Sequence, residues 1–250
     1  MELGRISAIF RYPVKSMAGE SLEVARLGWH GIEGDRRLAF RRLADRSEFP
    51  WLTASKLPQL LLYKPLRLDS NANSNGEVRP THVRTPDGKE YELRSDELRE
   101  EISNRYGSDV ELMNLKSGIF DEACISVISL GTVRSVARES GRGEELCDLR
   151  RFRPNVVIET NNAEPFEEDS WVGRTLMFGE GNSGAAPMAA ISVTLRDERC
   201  VMVNFDPDTA ERDSEVMKTV VRMNGNYAGA YGTVIRAGEL RVGQVVSLDG

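Results

Sequence analysis

Apolar and polar residues alternate with a period of two at the start of the chain. Ile6, Ala8, Phe10 and Tyr12 share one face and Arg5, Ser7 and Arg11 the other, with Ile9 breaking the pattern. Such alternation predicts a half-buried strand, which Pro13 ends. Residues 22–27 predict a second short strand. Gly28, Gly31 and Gly34 then allow a tight path into a third over 36–42, buried at one end through Leu38 and Phe40. Thr53 is placed to cap a short helix reaching about Leu60, limited by Pro58. Residues 60–68 read as a strand broken by Pro65, and 70–76 as a polar surface loop. The segments 81–85 and 89–93 flank Pro86-Asp-Gly88, a hairpin signal.

The period changes at Ser95. Leu98, Ile102 and Tyr106 lie four apart, Asp96 and Glu97 suit the positive end of a helix, and Gly107 ends it. A domain boundary is expected near residue 120, dividing the chain into 1–120 and 121–250. Beyond it, 124–128 predicts an apolar strand. Ser129 then caps a helix to about Glu139 that turns Leu130, Val133 and Ala137 inward and stops at Gly141 and Gly143. Further strands are expected at 155–159, after the turn that begins at Trp171, at 188–195, at 200–205 and through 231–248. A short helix is expected over 213–222, with Val216, Met217, Val220 and Val221 inward, and 179–187 reads as an exposed loop. Many short strands with few helices predict a mainly β chain whose second domain is barrel-like.

Composition narrows the function classes. The 250 residues include 33 basic and 39 acidic ones, a formal charge of -6 that gives no global reason to bind nucleic acid. No apolar run reaches the ~18 residues of a membrane span, and the N-terminal residues lack a signal-peptide pattern. The cysteines are Cys124, Cys147 and Cys200, an odd and sparse set that fits a reducing compartment, so a cytoplasmic location is expected. With only His30 and His82 and no Cys-x-x-Cys, a zinc site of the usual type is poorly supported.

Four separated stretches join charge to turns. In Tyr12-Pro-Val-Lys-Ser16, a lysine and a serine follow a strand end, where an ammonium and a hydroxyl can hold a phosphate. In Gly34-Asp-Arg-Arg37, one arginine can face an anion while the other pairs with Asp35 or meets solvent. In Arg150-Arg-Phe-Arg-Pro-Asn155, Pro154 biases Arg153 toward extended geometry. Arg153 and Asn155 can then present a guanidinium and an amide to one ligand, unless the arginines pair with Glu164, Glu167 or Glu168. The fourth is Arg199-Cys200. Arginine favours a neighbouring thiolate, which can ligate a metal or act as a nucleophile, while Asp197 and Glu198 oppose that effect. Taken alone, Cys200 reads first as a small buried, inert hydrophobe.

Together these stretches resemble the molybdenum cofactor sulfurase C-terminal (MOSC) family, in the form with a MOSC N-terminal β-barrel domain, and are similar to the amidoxime reducing components. Tyr12-Pro-Val-Lys-Ser16, Gly34-Asp-Arg36, Leu52-Thr-Ala54, Arg151-Phe-Arg-Pro-Asn155, Arg199-Cys200 and Asp206-Pro-Asp-Thr209 occur in the family's order, followed by the Gly238 to Val246 segment. The resemblance covers nearly the whole chain. It implies an N-terminal β-barrel-like domain followed by a MOSC β-barrel, with a pterin-based molybdenum cofactor between them. Lys15, Ser16, Arg36, Arg153, Asn155 and Arg199 would bind that cofactor, and Cys200 would be the catalytic thiolate on the metal. The implied reaction is two-electron reduction of an N-hydroxylated (N-oxygenated) small molecule, with electrons from a separate flavin or iron–sulfur partner. The alternative is a cofactor carrier or sulfur-handling protein without reductase activity, and a third reading is a cleft for another anion. The family's link to pyridoxal phosphate finds no Schiff-base lysine here. Close relatives often carry a second cysteine shortly before the ligand cysteine, where this chain has Arg196, Asp197 and Glu198.

Overall fold

The computed structural model describes residues 1–69, 79–115, 117–118, 122–141, 148–179 and 188–249. The expected loop at 70–76 and all but Gly179 of that at 179–187, together with Gly143 and Cys147, lie outside the described residues.

The chain is mainly β with short helices, as the hydrophobic pattern predicts. Its strands are β1 (Glu2–Arg11), β2 (Glu20–Leu22), β3 (Val24–Gly28), β4 (Gly31–Ile32), β5 (Leu38–Arg42), β6 (Lys64–Asp69), β7 (Arg79–Arg84) and β8 (Glu90–Glu92). Helix α1 (Asp96–Tyr106) and β9 (Val110–Asn114) follow, then β10 (Ile125–Ser129), α2 (Leu130–Glu139), β11 (Val156–Thr160), β12 (Thr175–Phe178) and β13 (Ala189–Glu198). The chain closes with α3 (Glu215–Asn224), β14 (Tyr227–Arg236), β15 (Gly238–Arg241) and β16 (Val245–Leu248).

Seven strands close into a barrel in the order β1, β11, β10, β14, β13, β12, β16 and back to β1. Closure removes the open sheet edges that would otherwise invite pairing with other chains. The pair β10–β11 is parallel, and α2 supplies the crossover that a parallel pair requires. Ile6, Val127, Ile158, Trp171, Phe178, Ile191 and Val246 belong to the barrel's core cluster. The first strand therefore belongs to the barrel built by the second half of the sequence. Strand β2 pairs with β1, β3 pairs with β15 and β4, and Ala25, Leu27 and Ile32 join the barrel's core, so these strands belong to the same side. The stretch from β5 to β9 forms its own unit. There β5 pairs with β9 and β6–β7–β8 forms a meander, around a separate core of Leu38, Phe40, Leu60, Tyr63, Leu98 and Ile102.

Helix signals read from the sequence are seen in the caps. Ser95 accepts the Leu98 N–H and Ser129 the Thr132 N–H, each satisfying a first-turn donor. The break at Ile9 has a physical cause: the β1–β11 register shifts between Ile6 and Ala8, and this bulge lets Ile6 and Ile9 both point inward.

Several expectations need correction. Residues 201–204 form a 3-10 turn rather than a strand, so Cys200 sits at a turn entrance. Thr53 caps no helix; its carbonyl accepts the Lys56 and Leu57 N–H groups in a turn, and the 3-10 turn Pro58–Leu62 follows. Pro65 lies within β6 instead of breaking it. Val221 faces solvent on α3 while Val216 and Val220 are buried. The strand expected from Arg36 begins at Leu38, because Arg36 takes a left-handed conformation (φ 48°).

The barrel seam makes a sharp prediction. A Cβ at Gly4 would lie 2.1 Å from the Glu159 carbonyl oxygen across the β1–β11 pair. Gly4→Ala should therefore lower stability by at least about 1–3 kcal/mol in denaturant unfolding, the usual range for overpacking. Unchanged stability would show that the seam is looser than described.

Candidate functional site

A cavity of about 980 Å³ opens between the two units. Lys15, Ser16, Arg36, Arg153, Arg199 and Cys200 all line it, although the sequence separates the first from the last by most of the chain. Asn155 does not line it.

The basic wall is built on the end of β1. Asp35, wholly buried, accepts the Tyr12 N–H at 2.7 Å and pairs with Arg36 Nη1 at 2.5 Å. Arg36 Nη2 donates to the Arg153 carbonyl at 2.9 Å, and Arg153 Nη1 donates to the Met17 carbonyl at 2.9 Å. The two guanidinium groups stack on the Tyr12 ring, with Cζ atoms 4.7 Å and 4.1 Å from its centroid. Burial pushes the Tyr12 hydroxyl up to about 12, against the two arginine charges. Lys15 and Ser16 are both buried, and the Lys15 Nζ lies 5.3 Å from the Phe49 ring centroid.

Three non-glycine residues of this wall, Ser16, Arg36 and Arg153, have positive φ (66°, 48° and 49°). Each such residue costs on the order of 1–3 kcal/mol and persists only where surrounding bonds over-determine it. The Arg36 N–H to Tyr12 carbonyl bond at 2.7 Å and the Arg153 N–H to Arg150 carbonyl bond at 3.1 Å are two such bonds. The extended Arg153 expected from Pro154 is thus corrected to a left-handed turn.

Asn155 is a strut beneath the wall. Its Oδ1 accepts the Ser126 N–H at 3.1 Å and Arg36 Nη1 at 3.3 Å, and its Nδ2 donates to the Phe10 carbonyl at 3.3 Å. Its amide faces protein groups, in contrast to the ligand-facing amide expected from the sequence.

The opposite wall carries Arg199 and Cys200. Arg199 donates through Nε to the Ala228 carbonyl (2.5 Å) and through Nη1 to the Phe152 carbonyl (2.6 Å). Its Nη2 lies 2.8 Å from the Asp197 carboxylate, which also accepts the Ser126 hydroxyl at 3.0 Å. Gly229 is required here: at φ 94°, a Cβ would sit 2.7 Å from Arg199 Nη2. Arg199 is therefore a brace of the wall, with its charge set against Asp197. Glu198 is exposed, lines the same cavity and accepts from Asn226 Nδ2 at 3.3 Å. The Cys200 residue is exposed at the cavity.

The arginine partners differ from those expected. Arg151 pairs with Asp206 at 2.6 Å and Arg150 with Asp148 and Asp208, so Glu164, Glu167 and Glu168 are not their partners among the described residues. Arg151 lines the cavity and was missed because its anchor lies 55 residues away, beyond any local pattern. Arg196, stacked on Tyr227 at 3.7 Å, also lines the cavity; strand alternation through 196–198 is the signal that separates it from inward Asp197.

Two family models match the chain: the MOSC domain over residues 114–247 and the MOSC N-terminal beta barrel domain over residues 3–121. The chain belongs to the MOSC family. As a family, MOSC domains are associated with the molybdenum cofactor. No curated protein matches this MOSC chain. The YUAD protein from Bacillus subtilis is similar in fold, with a TM-score of 0.50, 14% identity, and coverage of 98% of this chain and 95% of its own. YiiM from Escherichia coli aligns over 51% of this chain and 54% of its own, at 17% identity and a TM-score of 0.36.

The donor set fits such a cofactor. Among the described residues no group of three His, Cys, Asp or Glu side chains is arranged to hold a metal ion. One exposed thiol faces a cavity whose other wall carries buried basic groups, which suits a group that brings its own metal and its own phosphate.

Beneath the Cys200 wall, Glu168 is fully buried. It accepts the Thr132 hydroxyl and the Gly229 N–H, each at 2.9 Å. Burial pushes its carboxyl above the ordinary range, against those hydrogen bonds. The folded state then holds this proton more tightly than the unfolded state does. Its contribution to stability is present below the unfolded pKa of about 4.3 and is lost as pH rises through the folded value. Denaturant unfolding across pH should show the wild type losing stability relative to Glu168→Gln as pH climbs above about 4.3. Parallel profiles would contradict a raised carboxyl.

Proposed function

We propose that this MOSC protein is a molybdenum-cofactor oxidoreductase that reduces N-hydroxylated small molecules. The carrying observation is that the exposed Cys200 and the buried Lys15, Ser16, Arg36 and Arg153 line one cavity. When bound, the pterin-based cofactor supplies the two-electron redox chemistry. The net change is cleavage of an N–O bond with uptake of two electrons and two protons, giving the amine or amidine and water.

The residues of the chain divide this task. Lys15, Ser16 and Arg153 neutralise and hydrogen-bond the anionic end of the cofactor, with Arg36 supporting Arg153 from behind. Cys200 fixes the metal at the other wall, held in place by the Arg199–Asp197 brace. Tyr12, which keeps its proton at neutral pH, supplies the ring that aligns two guanidinium groups. The chain has neither a ferredoxin-type cysteine run nor a nucleotide-binding glycine motif, so a separate flavin or iron–sulfur protein donates the electrons. No described helix is long and apolar enough to cross a membrane.

Expression in a host that makes the cofactor gives the test. Near-stoichiometric molybdenum is expected in the wild type. Cys200→Ser should lose most of its molybdenum or its hydroxylamine reduction while its circular dichroism is retained. Full turnover by Cys200→Ser, or a wild type devoid of molybdenum under these conditions, would reject this function.

A further inference from the structure

We propose that Arg196, stacked over Tyr227, is a platform that selects planar, conjugated N-oxygenated substrates; this rests on the reductase reading of the cavity. Its Cζ lies 3.7 Å from the Tyr227 ring centroid. Its edge is pinned: Nη1 donates to Asp169 Oδ2 at 3.3 Å, and Asn224 Nδ2 holds the same carboxylate oxygen at 2.9 Å. Asn224 Nδ2 also donates to the Tyr227 carbonyl at 3.2 Å, so ring, carboxylate and guanidinium form one unit.

One face of the guanidinium is covered by the Tyr227 ring. Even so, 40% of the Arg196 side chain remains exposed, and the residue lines the same cavity as Cys200. The neighbouring wall arginines differ: the side chains of Arg36, Arg151 and Arg199 are 14%, 2% and 8% exposed. A planar cation already fixed in orientation binds a second π-system with little further loss of side-chain freedom.

Benzamidoxime and its methyl counterpart, acetamidoxime, probe this directly. Equilibrium binding to the cofactor-loaded protein is measured by calorimetry without an electron donor, and turnover is measured with one. Arg196→Ala and Arg196→Lys should each lower the benzamidoxime-to-acetamidoxime affinity ratio by about fivefold or more, the scale of one cation–π contact. Lysine keeps the charge but not the plane, so a ratio restored by Arg196→Lys would overturn the platform in favour of simple charge. An unchanged ratio in both variants would overturn it too. A lowered ratio with no turnover of either compound by the wild type would leave the platform standing and reject the reductase reading. Turnover with an unaltered ratio would do the reverse.

Discussion

The buried carboxylate of Asp35 is the contact on which the arrangement depends. It takes the first backbone donor past β1, at Tyr12, and the guanidinium of the next residue, Arg36. Arg36 then reaches the Arg153 carbonyl and the Asn155 amide, more than a hundred residues along the chain. Removing one partner of such a buried pair typically costs about 3–5 kcal/mol, because the other charge is left unpaired. Here the same loss would separate the two halves of the basic wall. Stability and site geometry thus meet in one carboxylate.

Topology explains why that contact lies where it does. β1 is the first strand of the chain but closes a barrel made by the last hundred-odd residues, pairing with β11 and β16. The turn that follows it is consequently delivered to the barrel's rim, beside the segment that precedes β11. The N-terminal unit hangs from this turn and contributes the floor under Lys15, through the Lys15 N–H to Leu38 carbonyl bond at 2.8 Å. In this chain β1 to β4 all pair or pack with the barrel side, so the two matched domains are interleaved in space.

Local rules made much of this legible in the sequence. Ser95 and Ser129 announced their helices, Pro86-Asp-Gly88 its hairpin, and the basic turns their common neighbourhood once their order was recognised. What remained hidden depends on long-range geometry. The left-handed φ of Arg153 is stabilised by tertiary bonds and overrides the extended bias of Pro154. The apolar run after Cys200 carries strand-like residues, yet Val203 packs inward from a 3-10 turn beside α3, which no periodicity over four residues distinguishes from a strand. Arg199 read as a group that would act on Cys200 or a cofactor; its two hydrogen bonds and its ion pair with Asp197 make it a brace, and Gly229 is the residue that leaves it room. Arg196, by contrast, keeps 40% of its side chain exposed.

A crystal structure of protein purified from a cofactor-producing host, with anomalous diffraction recorded at the molybdenum edge, tests the central claim most directly. The prediction is a metal peak bonded to Cys200 Sγ and a phosphate within hydrogen-bond distance of Lys15 and Arg153. A metal peak away from Cys200, or a phosphate on the Arg196 side of the cavity, would contradict it.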